Sequence, residues 1–167
     1  MLPTMKFAAV LLSVFFALPL GAAPEYPAMG ADLYDTKADG NTQVATALKQ
    51  ALAEHKRVLV MFGANWCPWC RRLHHTLATD PAVAKALREN YELVLIDANT
   101  RHDPKRNAAV IERYGNPPQH GLPVFVVLAA DGTQLTTRES ANLEDEKGQH
   151  VAERVLAFLV EWKLKNE

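Results

Sequence analysis

The stretch Val58–Cys70 constrains this chain more than any other. Five apolar residues, Val58-Leu59-Val60-Met61-Phe62, run into a short Gly63-Ala64-Asn65 turn. Trp66-Cys67-Pro68-Trp69-Cys70 follows, and then the helix-like Arg71-Arg72-Leu73-His74-His75. An unbroken apolar run of that length suits a strand buried on both faces. The order is therefore strand, turn, Cys-x-x-Cys, helix. These are the only two cysteines in 167 residues, so no structural disulfide framework is available. A thiol pair at a helix start is a redox device for a physical reason. The free N–H groups and the positive end of the helix dipole stabilise a thiolate there. Such a site brings a cysteine from a pKa of ~8.5 to roughly 3.5–7.5, and the thiolate is the form that attacks disulfides. Cys67, at the helix start, is the expected nucleophile. Cys70, one turn on and on the same face, is placed to resolve the mixed disulfide.

Composition supports one packed domain: 49% of residues are hydrophobic and 22% charged. The net charge of −1 and the lack of any basic stretch give no sign of a nucleic-acid partner. The N-terminus carries a different signal. Lys6 precedes the apolar stretch Phe7–Leu20, and Gly21-Ala22-Ala23 supply small residues for cleavage. Residues 1–22 therefore read as a cleaved signal peptide. The alternative, an uncleaved tether, is disfavoured because the apolar run is shorter than the ~20 residues of a membrane span and Pro19 interrupts its end.

Residues 23–40, with Pro24, Pro27, Gly30 and Gly40, read as an irregular lead-in to a domain spanning 41–167. Val44, Leu48, Ala51, Leu52 and His55 recur at helical spacing, with Asn41 or Thr42 as the expected cap. The helix after Cys67 should end near Ala78. Asp80-Pro81 should restart it, as N-cap and first helical residue. Glu92–Asp97 is a second apolar strand. Asp103-Pro104 repeats the cap-plus-proline signal for a helix through Tyr114, closed by Gly115. Val124–Leu128 is a third apolar strand, and Ala130-Asp131-Gly132 turns it into Gln134–Arg138. Residues 139–147 favour no element. Val151, Val155, Leu156, Leu159 and Trp162 mark a closing amphipathic helix. The order α-β-α-β-α-β-β-α predicts a three-layer α/β/α sandwich around a mixed sheet.

These residues resemble the thioredoxin superfamily. The resemblance is carried by the strand–turn–Trp66-Cys67-x-x-Cys70 unit, by Ile96-Asp97-Ala98-Asn99, and by Gly121-Leu122-Pro123 before the third strand. It covers roughly residues 41–162. Within the superfamily the pattern is most similar to small exported thioredoxin-like proteins and to the C-terminal periplasmic domain of DsbD. The resemblance implies a thioredoxin-like fold and a redox disulfide Cys67–Cys70. It implies a cis Pro123 packed against that pair, and a Leu122 backbone able to pair with an extended client peptide. Trp66, Pro68 and Trp69 would complete the client-binding surface. The implied partners are protein disulfide or dithiol clients and an upstream membrane or periplasmic thiol donor, with no cofactor and a periplasmic location. About fifty residues separate Cys70 from Pro123, too few for the large helical insertion of the bacterial oxidase, which favours a reductant. Two departures stand out. Met61 occupies the place of the buried acid of thioredoxins. Pro68-Trp69 replaces their Gly-Pro between the cysteines, a dipeptide that tunes potential within a range of about −270 to −120 mV.

Blander readings exist for several residues. Trp66 and Trp69 could simply pack in the core, and Arg71 and Arg72 could form a solvated helix face. Cys67, Cys70 and His74 fall at i, i+3 and i+7, which permits a copper- or zinc-binding metallochaperone as an alternative. A structural zinc site, however, wants four ligands.

Overall fold

A computed structural model describes residues 31–99, 101, 103 and 105–165. The segment read as a signal peptide lies outside the described residues. The elements are α1 (Gly40–Glu54), β1 (Arg57–Gly63), α2 (Pro68–Thr79), α3 (Pro81–Asn90), β2 (Tyr91–Asp97) and α4 (Ala108–Arg113). Then come β3 (Val124–Leu128), β4 (Gln134–Glu139) and α5 (Ala152–Trp162). Single 3-10 turns at Pro117–His120 and Ser140–Leu143 join the later elements.

The sheet order is β2-β1-β3-β4. β1 pairs parallel with β2 and antiparallel with β3, and β4 closes a hairpin on β3. This is the expected three-layer α/β/α sandwich with a mixed sheet. The apolar runs follow from it. β1 and β3 are central and covered on both faces, so every residue of Val58–Phe62 and Val124–Leu128 is buried. Leu59, Met61, Phe125 and Val127 pack towards α2, α3 and α5, in one cluster with both cysteines. Val58, Val60, Phe62, Val124, Val126 and Leu128 pack towards α1 and α4.

Local signals set most helix ends. The Asp80 carboxylate accepts from Ala82 N at 3.0 Å and Val83 N at 2.9 Å, and so caps α3 as expected. Two helices depart from the sequence reading. α1 starts one residue early, at Gly40, and is capped by Asp39 rather than Asn41 or Thr42; Thr42 is instead a donor to that cap. Gly40 is tolerated there because α1 passes so close to α4 that a Cβ would lie 2.7 Å from Val110 Cγ1. α4 starts late, at Ala108. Asp103 spends its carboxylate on a local turn with Lys105 N at 3.0 Å. Asn107, in the left-handed region at φ 55°, spans from Gly40 N to the Asp97 carbonyl, 2.9 Å to each. That bridge holds α1 and β2 together and delays the helix. Pro104 lies outside the described residues.

The undecided stretch before α5 folds around Asp145, whose carboxylate accepts from Lys147 N and Gln149 N. It brings His150 inside. The His150 side chain has no exposed surface, and its Nε2 lies 3.4 Å from Glu144 Oε1. Burial, and then the charge of Arg72, push His150 down to about 4.

Two outcomes are expected. Leu59→Ala, at the centre of β1, should cost about 2–5 kcal/mol, read as a lowered urea midpoint. His150 is neutral in the fold but takes a proton near pH ~6.5 when unfolded. Its contribution is therefore present above that pH and is lost as pH falls towards about 4. Urea melts at pH 7 and pH 4.5 should show a fall of about 1–3 kcal/mol that His150→Asn flattens.

Candidate active site

β1 ends at Gly63, and one turn of irregular chain delivers Cys67 to the N-cap of α2, with Pro68 as first helical residue. Pro suits that place because its missing N–H would have no helical partner. Cys67 and Cys70 are joined by a disulfide, with Cα atoms 5.3 Å apart. Cys67 Sγ also accepts from the Cys70 backbone N–H at 3.1 Å. This is the contact through which a helix start favours sulfur as a thiolate. Both cysteines are buried, Cys70 fully, while Cys67 keeps 3% of its surface.

The chain returns to the sulfurs at Leu122-Pro123. Their peptide bond is cis, Pro123 is buried, and the Leu122 carbonyl lies 3.6 Å from Cys67 Sγ. Trp66, Cys67, Pro68, Trp69, Gly121 and Leu122, with Arg101, line one open cleft of about 540 Å³. The fold thus gathers Trp66, Pro68, Trp69 and Leu122 around Cys67, places Pro123 beneath them, and leaves Cys70 behind.

The two tryptophans differ. Trp66 is half-buried and fixed: its indole N–H donates to Asn99 Oδ1 at 2.8 Å, and the Arg101 guanidinium sits 4.1 Å from its ring. Trp69 is 45% exposed, with the Arg72 guanidinium 5.4 Å from its ring. Neither arginine after Cys70 forms a simple solvated face. Arg71 donates to the Asn65 carbonyl at 3.1 Å and the Ala31 carbonyl at 3.0 Å. His74 is half-buried on α2, its pKa lowered by burial and then by neighbouring His75. Among the described residues no group of three or more His, Cys, Asp or Glu side chains gathers as a metal-donor set.

Behind the sulfurs stand residues to which the sequence alone assigns no role at the site. Asn65 clamps the lead-in. Its Oδ1 accepts from Leu33 N and Tyr34 N, and its Nδ2 donates to the Tyr34 carbonyl, all at 2.9 Å. Tyr34, 1% exposed, enters the same cluster as Met61, Cys67 and Cys70. Burial, and then the charge of Asp97, raise its pKa far above the ordinary range. Asp97 is also 1% exposed. Burial raises its pKa, against the Arg106 guanidinium 3.2 Å from Oδ2. One signal was available for this pocket: a glycine ending an apolar strand marks a close approach of some other group.

The sequence matches the thioredoxin-like domain family over residues 44–152. A solved structure described as a disulphide isomerase from Xylella fastidiosa Temecula1 is 31% identical. The alignment covers 78% of this chain and 96% of that one, with a TM-score of 0.67. The C-terminal domain of Neisseria meningitidis DsbD in its oxidised form shares the fold at 24% identity. There 78% of this chain and 98% of that one are covered, with a TM-score of 0.53. The thiol:disulfide interchange protein DsbD of Ralstonia nicotianae is 28% identical over 97 residues; these are 58% of this chain and only 15% of that longer protein. With a family match across most of its described length, this chain belongs to the thioredoxin-like domain family of thiol:disulfide oxidoreductases.

Proposed function

We propose that this protein is an exported thiol–disulfide oxidoreductase that exchanges its Cys67–Cys70 pair with protein disulfides, working mainly as a reductant. The observation that carries this reading is the position of Cys67. It lies at the N-cap of α2, its sulfur within reach of a backbone N–H and of the Leu122 carbonyl, at the floor of an aromatic cleft.

The reaction follows from that placement. In the reduced protein the Cys67 thiolate attacks one sulfur of a client disulfide. A mixed disulfide forms and the other client sulfur leaves as thiolate. Cys70 then attacks Cys67 Sγ, the Cys67–Cys70 bond closes, and the second client sulfur is released. The client gains two electrons and the protein loses them. Leu122, at the rim, offers backbone groups to an extended client segment, and exposed Trp69 offers apolar area beside it. Trp66 and Pro68 shape the wall between them.

The reductant direction is supported by the short route from Cys70 to Pro123. Its described residues hold only the remainder of α2, then α3, β2, α4 and one 3-10 turn. Regeneration then calls for an upstream membrane or periplasmic thiol donor. A periplasmic location is supported by the Lys6–Ala23 pattern. No helix among the described residues is long and apolar enough to cross a membrane. The names of the two DsbD relatives and of the disulphide isomerase fit thiol exchange on proteins.

The mature chain is expected to turn over insulin disulfides with dithiothreitol as donor, and Cys67→Ser to abolish turnover. Cys70→Ser should accumulate clients as mixed disulfides on Cys67, identifiable by mass spectrometry. Equilibration with glutathione should give a potential nearer the reducing end of the range, about −270 mV, than the oxidising end. Copper retained through gel filtration, with no dithiol turnover, would favour the metallochaperone instead.

A further inference from the structure

Cys70 presents a problem that the exchange chemistry does not solve by itself. To close the disulfide its sulfur must be a thiolate, yet it is fully buried. Burial in apolar surroundings raises a thiol pKa and holds the proton on sulfur. Some group must take that proton where water is excluded. On this face of β1 the chain offers Met61, which accepts nothing useful, and then Gly63, which has no side chain.

The space beside Gly63 is filled from elsewhere. A Cβ built there would overlap the Tyr34 hydroxyl and lie 2.8 Å from Cys70 Sγ. The hydroxyl and the sulfur therefore border the same methyl-sized space. Gly63 is level with Asp97 on the adjacent parallel strand. The Tyr34 hydroxyl and Asp97 Oδ1 are both buried and have no hydrogen-bond partner. Buried polar atoms are nearly always partnered. An unpartnered hydroxyl beside a redox sulfur, close enough to feel the charge of a carboxylate that itself has an unpartnered oxygen, marks a place where a proton comes and goes. A disulfide sulfur carries no proton, so in the oxidised state the hydroxyl has little to bond to; a Cys70 thiol or thiolate would supply the partner.

We propose that Tyr34 is a catalytic residue of the resolving step: its hydroxyl relays the Cys70 proton to Asp97. The proposal rests on the dithiol reading above and deepens it. In the mixed disulfide Cys70 is a thiol. Its proton passes to the Tyr34 oxygen while the Tyr34 proton passes to the Asp97 carboxylate. Tyr34 ends as it began, neutral. The Cys70 thiolate attacks Cys67 Sγ, the Cys67–Cys70 bond forms, and the Cys67–client bond breaks. Its electron pair leaves on the client sulfur, which is protonated by solvent. When a donor thiol reopens the disulfide, the same path returns the proton from Asp97 to Cys70.

The surrounding charges suit these roles. Tyr34 faces Asp97 and, more weakly, Arg71; burial and Asp97 keep its proton in place, so it passes protons only in concert. Asp97 faces Arg106, Asp103 and Asp32; burial raises its pKa, which strengthens the carboxylate as acceptor of the relayed proton. The Asn65 clamp and Arg106, which donates to the Asp35 and Ala38 carbonyls, hold the tyrosine's segment against the site.

The test is single-turnover release of thionitrobenzoate from its mixed disulfide on Cys67, followed across pH in the full chain. Tyr34→Phe should slow release at pH 7 by roughly tenfold or more, the range for a lost hydrogen bond to a charged group. The gap should narrow as pH rises and the thiol ionises unaided. Formation of the adduct, measured in a Cys70→Ser background, should not change. The melting temperature of the oxidised protein should hold or rise, because the variant removes an unpaired hydroxyl. Asp97→Asn should shift the release profile the same way. A Tyr34→Phe profile equal to wild type would overturn the proposal. So would a pH-independent loss accompanied by a lower oxidised melting temperature, which assigns Tyr34 to packing. If Tyr34→Phe folds poorly, an Asp97→Asn profile equal to wild type overturns it alone. A wild-type Cys67 that forms no adduct would instead sink the dithiol reading, and the relay with it.

Discussion

The burial of β1 on both faces is the constraint on which the rest of the structure depends. Leu59 and Met61 face one helical layer, and Val58, Val60 and Phe62 face the other. A strand placed this way must have a strand on each side and helices above and below. Its C-terminal end is then as fixed as the core. The active sulfur inherits that rigidity, because only Ala64, Asn65 and Trp66 separate β1 from Cys67. Chemistry that depends on a few tenths of an ångström is best built on such elements.

The sulfur pair divides the site into two environments. Outside lies the cleft, with aromatic rings braced by guanidinium groups: Arg101 on Trp66 and Arg72 on Trp69. Such walls offer apolar area that stays in place when a chain docks. Inside lies the core, where the buried Tyr34 and Asp97, with its Arg106 contact, stand among apolar side chains. Low dielectric makes every polar group there consequential. In the mechanism proposed above, the client meets the first environment and the proton uses the second, with the disulfide between them.

Much of this was legible in the residues. Apolar runs, the Asp80-Pro81 restart and the Asp131-Gly132 turn are local signals, and local backbone chemistry decided them. The grouping of Trp66, Cys67, Pro68, Trp69, Leu122 and Pro123 was legible only through resemblance, since nothing local brings residue 122 to residue 67. The misjudged features share one cause. Gly40 reads as the end of an irregular lead-in, yet it opens α1 where α4 comes close. Asp103 looked like a cap until the Asn107 bridge moved the helix start. Arg71 looked solvated, yet it holds the carbonyls of Asn65 and Ala31. In each case a contact distant in sequence outweighed a local preference worth about 1 kcal/mol.

By itself the sequence determined the layer order, the central strands and a thiol pair at a helix start. Periodicity and capping are encoded within a few residues of where they act. Only the tertiary structure decided what stands behind Cys70. The lead-in around Tyr34 carries no helical or strand period, and its place comes from three hydrogen bonds to Asn65 and a gap left by Gly63. A missing side chain and its filling by a residue twenty-nine positions earlier are facts of packing, and packing is settled only when the whole core closes.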